Sequence, residues 1–169
     1  MKKNNHFAII ITAKKYNNIL SKALKAIYKQ TVLPQQLIIV LAETGKIIIP
    51  KNIQSRVVYS KIKNQVHQRT IGLKFLDKKI KIILQLDDKI ILEKNSIKFL
   101  LEEWKNTDNN TAGIALNPKN YVRPKTNFFH YLTLTNSNID GKILPSGFAN
   151  GWSEIKKNRK MDWLNGGMT

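Results

Sequence analysis

Apolar runs and helical spacings alternate along the first two thirds of the chain. Phe7 to Ile11 is a continuous apolar run rich in β-branched residues, the pattern of a strand buried on both faces. Asn17 and Asn18 can cap a following helix, in which Ile19, Leu20, Ala23, Leu24, Ile27 and Tyr28 recur at helical spacing. Pro34 ends that unit, and Leu37 to Leu41 forms a second buried run. Lys46 to Pro50 is a short apolar loop, and Val57 to Tyr59 a third strand. The spacing predicts a helix over His67 to Leu76, with Ile71, Phe75 and Leu76 inward. A fourth strand over Ile80 to Leu86 runs straight into Asp87 and Asp88. Asn95 or Ser96 caps a helix with Ile97, Leu100, Leu101 and Trp104 on one face, and Ala112 to Leu116 reads as a fifth strand.

Strands alternating with helices predict β-α-β units and an α/β fold around a mainly parallel sheet. Ligands of such sheets bind beyond the carboxyl ends of the strands, where Asp87 and Asp88 fall. From Asn117 onward Asn, Gly, Pro and Ser accumulate, the composition of a long functional loop region. The expected organisation is one domain, a binding core over 1–116 and a loop region over 117–169.

Composition narrows the function classes. With 169 residues of which 42% are hydrophobic, the chain can bury a substantial core. The absence of cysteine excludes a disulfide scaffold and a thiolate zinc site, and fits a reducing, cytoplasmic compartment. Apolar runs such as Ile47-Ile48-Ile49 are too short to span a bilayer, and Lys14-Lys15 interrupt any signal-like apolar stretch. The formal net charge is +18, yet the arginines are only Arg56, Arg69, Arg123 and Arg159. Base readout favours arginine, so a lysine excess spread among Ile and Asn points away from nucleic acid. Attraction to an anionic membrane, at about 1 kcal/mol per lysine near the surface, fits better and places the protein at the inner face of the membrane.

Few residues carry recognisable chemistry. Gly45-Lys46 lacks the rest of a phosphate-binding P-loop, Ser146 sits in no nucleophile elbow, and His6, His67 and His130 have no metal-ligand spacing. Asp87-Asp88 differs. Two carboxylates about 4 Å apart at an effective dielectric near 20 repel by about 4 kcal/mol. A divalent cation relieves that repulsion, and Mg²⁺ or Mn²⁺ is commonly held by one or two carboxylates plus substrate phosphates. A solvated turn with Lys89 as counter-charge accounts for the same spacing equally well.

The order of motifs breaks that tie. Ala8 to Thr31, a strand, a polar loop and a helix ending in Gln30-Thr31, resembles the opening of a family 2 glycosyltransferase of the GT-A fold. Pro34 followed by Ile38-Ile39-Val40 resembles the family's next strand, and Arg69-Thr70-Ile71-Gly72 its Arg-Asn-x-Gly helix. Leu86-Asp87-Asp88, with Leu92 and Asn95 after it, resembles the Asp-x-Asp metal motif. Asp162 to Met168 is similar to the Trp-x-x-Gly-Gly segment near the acceptor site.

The resemblance implies a GT-A-like three-layer α/β/α sandwich. It implies metal-dependent, inverting transfer of a sugar from a nucleotide diphosphate donor to a carbohydrate or lipid-linked acceptor. Asp88 would contact Mn²⁺ or Mg²⁺, with Asp87 on the ribose or the metal. Arg69 would lie near the diphosphate, Thr12 beside the base, and Glu43 where the family reads the base. Trp163, Gly166 and Gly167 would shape the acceptor side. The sequence departs from the family at Leu41-Ala42, where Asp-Asp is usual, and at Lys89, the third acidic position of the metal motif. The family's catalytic base follows the Gly-Gly segment, so the resemblance places it beyond Thr169 and implies a truncated chain. Asp162 is not assigned that role. The same residues also fit an inactive nucleotide-sugar-binding remnant or a basic nucleic-acid-binding domain.

Overall fold

The computed structural model describes residues 6–49, 52–117, 119, 127–137, 139–151 and 158–164. Two compact units emerge, Met1–Ala112 with Gly166–Thr169, and Gly113–Asn165.

Apolar side chains covered on both faces shield the two central strands from water, and the sheet of the first unit has four parallel strands. These are β1 (Phe7–Ala13), β2 (Gln36–Leu41), β3 (Gln54–Tyr59) and β4 (Ile82–Asp87), in the spatial order β3-β2-β1-β4. All three pairings are parallel. Every residue of β1 and β2 is buried, each aliphatic side chain contributing about 1.5–3 kcal/mol.

Three helices serve this sheet: α1 (Asn18–Tyr28), α2 (Gln65–Leu73) and α3 (Ser96–Lys105). Asn17 caps α1 by accepting from the Leu20 amide at 3.0 Å. Asn64 caps α2 in the same way through the His67 amide. Helix α2 packs on Ile10, Ile38 and Val40, with Ile71, Phe75 and Leu76 inward. The Arg56 guanidinium lies 4.2 Å over the Phe75 ring on that face. Tyr28 of α1 hydrogen-bonds Ser55 at 2.9 Å. Successive strand residues point to opposite faces, so α1 and α2 flank the sheet on opposite sides, and the unit is a three-layer α/β/α sandwich.

Several sequence expectations shift. Helix α2 begins at Gln65 and ends at Leu73, because the chain turns down through Phe75 and Leu76. Ile19 is 47% exposed rather than inward; it lies in the first turn, beside the lysine face of α1. Asn95 is the N-cap residue of α3 but makes no capping bond. Its carboxamide oxygen accepts from Thr31 Oγ1 at 3.1 Å, and the Ile97 amide donates to Gln30 Oε1 at 3.2 Å instead. Residues 112–116 form no strand. Ala112, Gly113 and Ala115 are poor strand formers, and Gly113 packs within the second unit, where a Cβ on it would lie 3.0 Å from Leu164 Cδ1.

The second unit, read as loop, holds a short helix α4 (Phe128–Leu132) closed by an Asn127–His130 capping box. An antiparallel bridge joins Ile143 to Ala149. Buried Asn150 donates to the Ser137 carbonyl at 3.0 Å. Gly141, at φ +68°, leaves space that Met161 fills; a Cβ there would lie 2.6 Å from Met161 Cγ. No helix among the described residues is long and apolar enough to cross a membrane.

Candidate functional site

From β1 the chain steps outward to β2 and β3, then returns to β4 on the other side of β1. The reversal leaves a crevice at the carboxyl ends of β1 and β4, the place where open α/β sheets bind ligands. Thr12 and Asp87 are register partners there. An open cleft of about 340 Å³ is lined by Thr12, Ala13, Lys14, Ala42, Lys63, Gln65, Gln68, Asp88 and Lys89.

The two carboxylates of the β4 end are handled differently. Asp87 is turned onto α2, where Arg69 Nη2 donates to its Oδ1 at 2.7 Å and Gln65 Nε2 donates to the same atom. Asp88 faces the cleft. Burial pushes its carboxyl above the usual aspartate range, and the like charge of Asp87 adds to this. Lys89 and the backbone amides of Asp88 and Lys89 pull the other way.

Helix α2 delivers its side chains by close packing. A Cβ on Gly72 would lie 2.8 Å from Ile10 Cγ2 and 3.3 Å from Val40 Cγ2. Glycine therefore lets the helix sit low on the sheet, with Arg69 one turn earlier reaching Asp87. Gln68 anchors the same turn, its Nε2 donating to the Ala13 carbonyl at 2.9 Å. Two buried polar atoms have no partner among the described residues, Thr12 Oγ1 and Arg69 Nε. Buried polar groups are normally satisfied, and of these two residues Thr12 lines the cleft, so its hydroxyl is where a ligand's polar group could be taken up.

Glu43 does not line the cleft. The ladder carries on past β1 and β2, the Glu43 amide donating to the Lys14 carbonyl at 2.9 Å. The Glu43 carboxylate then meets Lys63 at 3.1 Å and Lys14 at 3.7 Å. The hydrogen bond from Lys63 chiefly holds its pKa low. Glu43 thereby anchors two of the lysines that border the cleft.

Among the site residues read from sequence, Thr12 and Asp88 line this cleft, Arg69 and Asp87 pair with each other at the end of β4, and Glu43 stands outside the lining on Lys14 and Lys63. Trp163 belongs to the second unit, where its indole Nε1 donates to the Asn150 carbonyl at 2.9 Å. Gly166 and Gly167 lie outside the described residues. Asp162 accepts from the Ile143 amide at 3.1 Å, a local structural bond. Sequence reasoning missed Gln65, Gln68, Lys14 and Lys63. The first two had a readable signal, since Gln65, Gln68, Arg69 and Gly72 recur at helical spacing on one face.

Mn²⁺ or Mg²⁺ fits this donor set in a limited way. Asp88 offers a carboxylate to the cleft, while Asp87 Oδ1 is engaged by Arg69 and Gln65. Among the described residues no cluster of three or more His, Asp or Glu side chains is present. A cation here would complete its shell with phosphate oxygens and water, the usual arrangement for Mg²⁺.

No protein-family profile matches the chain, and no curated protein matches it. Among solved structures it is similar to TarS of Staphylococcus aureus. A structure of TarS residues 1–349 superposes with a TM-score of 0.49 at 12% identity, over 71% of this chain and 41% of that one. A second TarS structure gives a TM-score of 0.48 at 14% identity, over 85% of this chain and 28% of that one. The chain thus spans less than half of either TarS chain. Superpositions at this level decide nothing about chemistry, and the α/β assignment rests on the strand order and register.

Proposed function

We propose that this chain is the nucleotide-sugar-binding part of a glycosyltransferase. It would take a nucleotide diphosphate sugar as donor and a carbohydrate or lipid-linked compound as acceptor, with inversion. One observation supports the reading above the others. A cleft at the β1–β4 switch point offers a carboxylate, Asp88, among the amines of Lys14, Lys63 and Lys89. That is a site for an anion that also brings a cation, and a nucleotide diphosphate fits it.

Arg69 and Gln65 hold Asp87 and keep its charge from repelling the donor phosphates. The Thr12 hydroxyl can bond a polar atom of the nucleotide. Lys14 and Lys63, positioned by Glu43, add positive charge where the diphosphate would lie. A bound Mn²⁺ or Mg²⁺ would neutralise charge building on the departing diphosphate.

Calorimetry with a panel of nucleoside diphosphates, with Mn²⁺ and with a chelator, tests this. The expected result is metal-dependent binding of one nucleotide, weakened more by Asp88→Asn than by Asp87→Asn. Equal affinity with metal and with chelator would overturn the metal role. No binding by any nucleotide would overturn the donor assignment. A radiolabelled-sugar transfer assay then separates a transferase from a binding remnant.

A further inference from the structure

We propose that α1 and the segment leaving Asp88 form a face that seats on an anionic lipid bilayer, with a lipid phosphate held in the cleft between them. This goes beyond the nucleotide reading and does not depend on it.

The face is a second cleft, of about 640 Å³, on the opposite side of the sheet from α2. Lys22 and Lys25 line it from α1 and Lys29 from the C-cap of that helix, and Ile91, Leu92 and Lys94 line it from the segment that follows Asp88. Lys22, Lys25 and Lys29 stand at i, i+3 and i+7, so they form one stripe about two turns long. Among the described residues none of the four lysines has a salt-bridge partner. Helix α1 contains no acidic residue. Glu93, the one carboxylate between Asp88 and Asn95, does not line the cleft.

Like charges at these spacings disfavour a helix. An external anion offsets that repulsion. The apolar component says which anion. Ile91 is 61% exposed among the lysines, while Leu92 beneath it is buried. An exposed aliphatic ringed by lysine amines suits a bilayer interface, where the aliphatic enters the headgroup layer and lysines reach phosphates along their stems. Single-stranded nucleic acid binds through stacking aromatics and arginine, and neither lines this cleft.

Sedimentation of the full chain with vesicles tests the proposal, using phosphatidylcholine alone and phosphatidylcholine mixed with phosphatidylglycerol. Binding is expected only to the mixed vesicles and is expected to weaken with salt. Combining Lys22→Gln, Lys25→Gln and Lys29→Gln should lower the partition coefficient on the order of 100-fold. The charge-matched control combines Lys74→Gln, Lys78→Gln and Lys79→Gln on the α2–β4 connection, and should lower it less than about threefold by long-range attraction alone. Ile91→Ser should reduce binding roughly threefold to tenfold at unchanged net charge. Matching thermal midpoints show that the variants fold. Equal losses in the two triple variants would mean that net charge alone drives binding, and would overturn the assignment of this face. Absence of binding to mixed vesicles would overturn it too. So would RNA binding that the first triple variant abolishes while vesicles are ignored.

Discussion

Arg69 Nη2 donates to Asp87 Oδ1 across 2.7 Å and ties the middle of α2 to the end of β4. The pair is largely shielded from water, and Gln65 adds a second donor to the same oxygen. Arg69→Met removes the charged donor and leaves Asp87 partly buried with one neutral partner. The expected cost is about 2 kcal/mol, read as a shift in denaturation midpoint. Asp87→Asn keeps an oxygen acceptor for Arg69 and should cost clearly less. Equal costs for the two would show that the pair does not order the site.

Asp88 should show the opposite sign. Its folded-state pKa is raised, by burial above all. The ionised carboxylate therefore opposes folding at neutral pH, and the penalty is relieved as pH falls through the raised value. Asp88→Asn is expected to be at least as stable as wild type at neutral pH. The difference should shrink as the solution is acidified toward the ordinary aspartate range. Thermal midpoints of both proteins across that window check this; a gap independent of pH would contradict it.

Thr12 Oγ1 is buried and has no hydrogen-bond partner among the described residues, and an unsatisfied buried hydroxyl costs about 1–3 kcal/mol. Thr12→Val should therefore stabilise the free chain, by about 1 kcal/mol, and weaken nucleotide binding. Calorimetry and chemical denaturation on the same variant separate the two effects. A variant destabilised in the free state would show that the hydroxyl is already satisfied.

Gly72→Ala sets two effects against each other. Alanine gains about 1 kcal/mol in helix propensity. Its Cβ, however, meets Ile10 Cγ2 at 2.8 Å, a methyl on a stiff β-branched side chain, and overpacking costs about 1–3 kcal/mol. The expected net is a destabilisation near 1 kcal/mol, with α2 lifted and the Arg69–Asp87 contact lengthened. A more stable variant with unchanged nucleotide affinity would show that the helix has room to move.

Gln30 bridges α1 to the segment behind Asp88. Its amide donates to the Ala26 and Glu93 carbonyls at 3.1 and 2.7 Å and accepts from the Ile97 amide at 3.2 Å. Gln30→Met fills the space but leaves the Ile97 donor without this buried partner. A loss of about 2–3 kcal/mol is expected, with faster hydrogen exchange across residues 90–97. Unchanged exchange there would remove Gln30 from any role in holding the Asp88 segment.

The buried strands were legible from sequence because burial on both faces demands an unbroken apolar run, as in Phe7–Ile11 and Leu37–Leu41. The inward face of α1 was legible because Leu20, Leu24 and Ile27 repeat at the helical period. Asp87 and Asp88 stood out because adjacent carboxylates after an apolar strand are costly without an attractive partner. Local sequence could not say which partner each would take. Strand order brought β4 beside β1 and made Thr12 the neighbour of Asp87, a contact between residues far apart in the chain. Close packing at Gly72 put Arg69 on Asp87 and left Asp88 to the cleft. Glu43, read as a base-recognition residue, was drawn onto Lys14 and Lys63 by the ladder beyond β1 and β2. Residues 112–116 failed as a strand because Ala112, Gly113 and Ala115 are poor strand formers, and a short apolar run does not by itself bring a segment to a sheet edge. Periodicity is set by each element's own geometry and survives in one dimension, whereas the partners of a charge depend on which elements the fold makes neighbours.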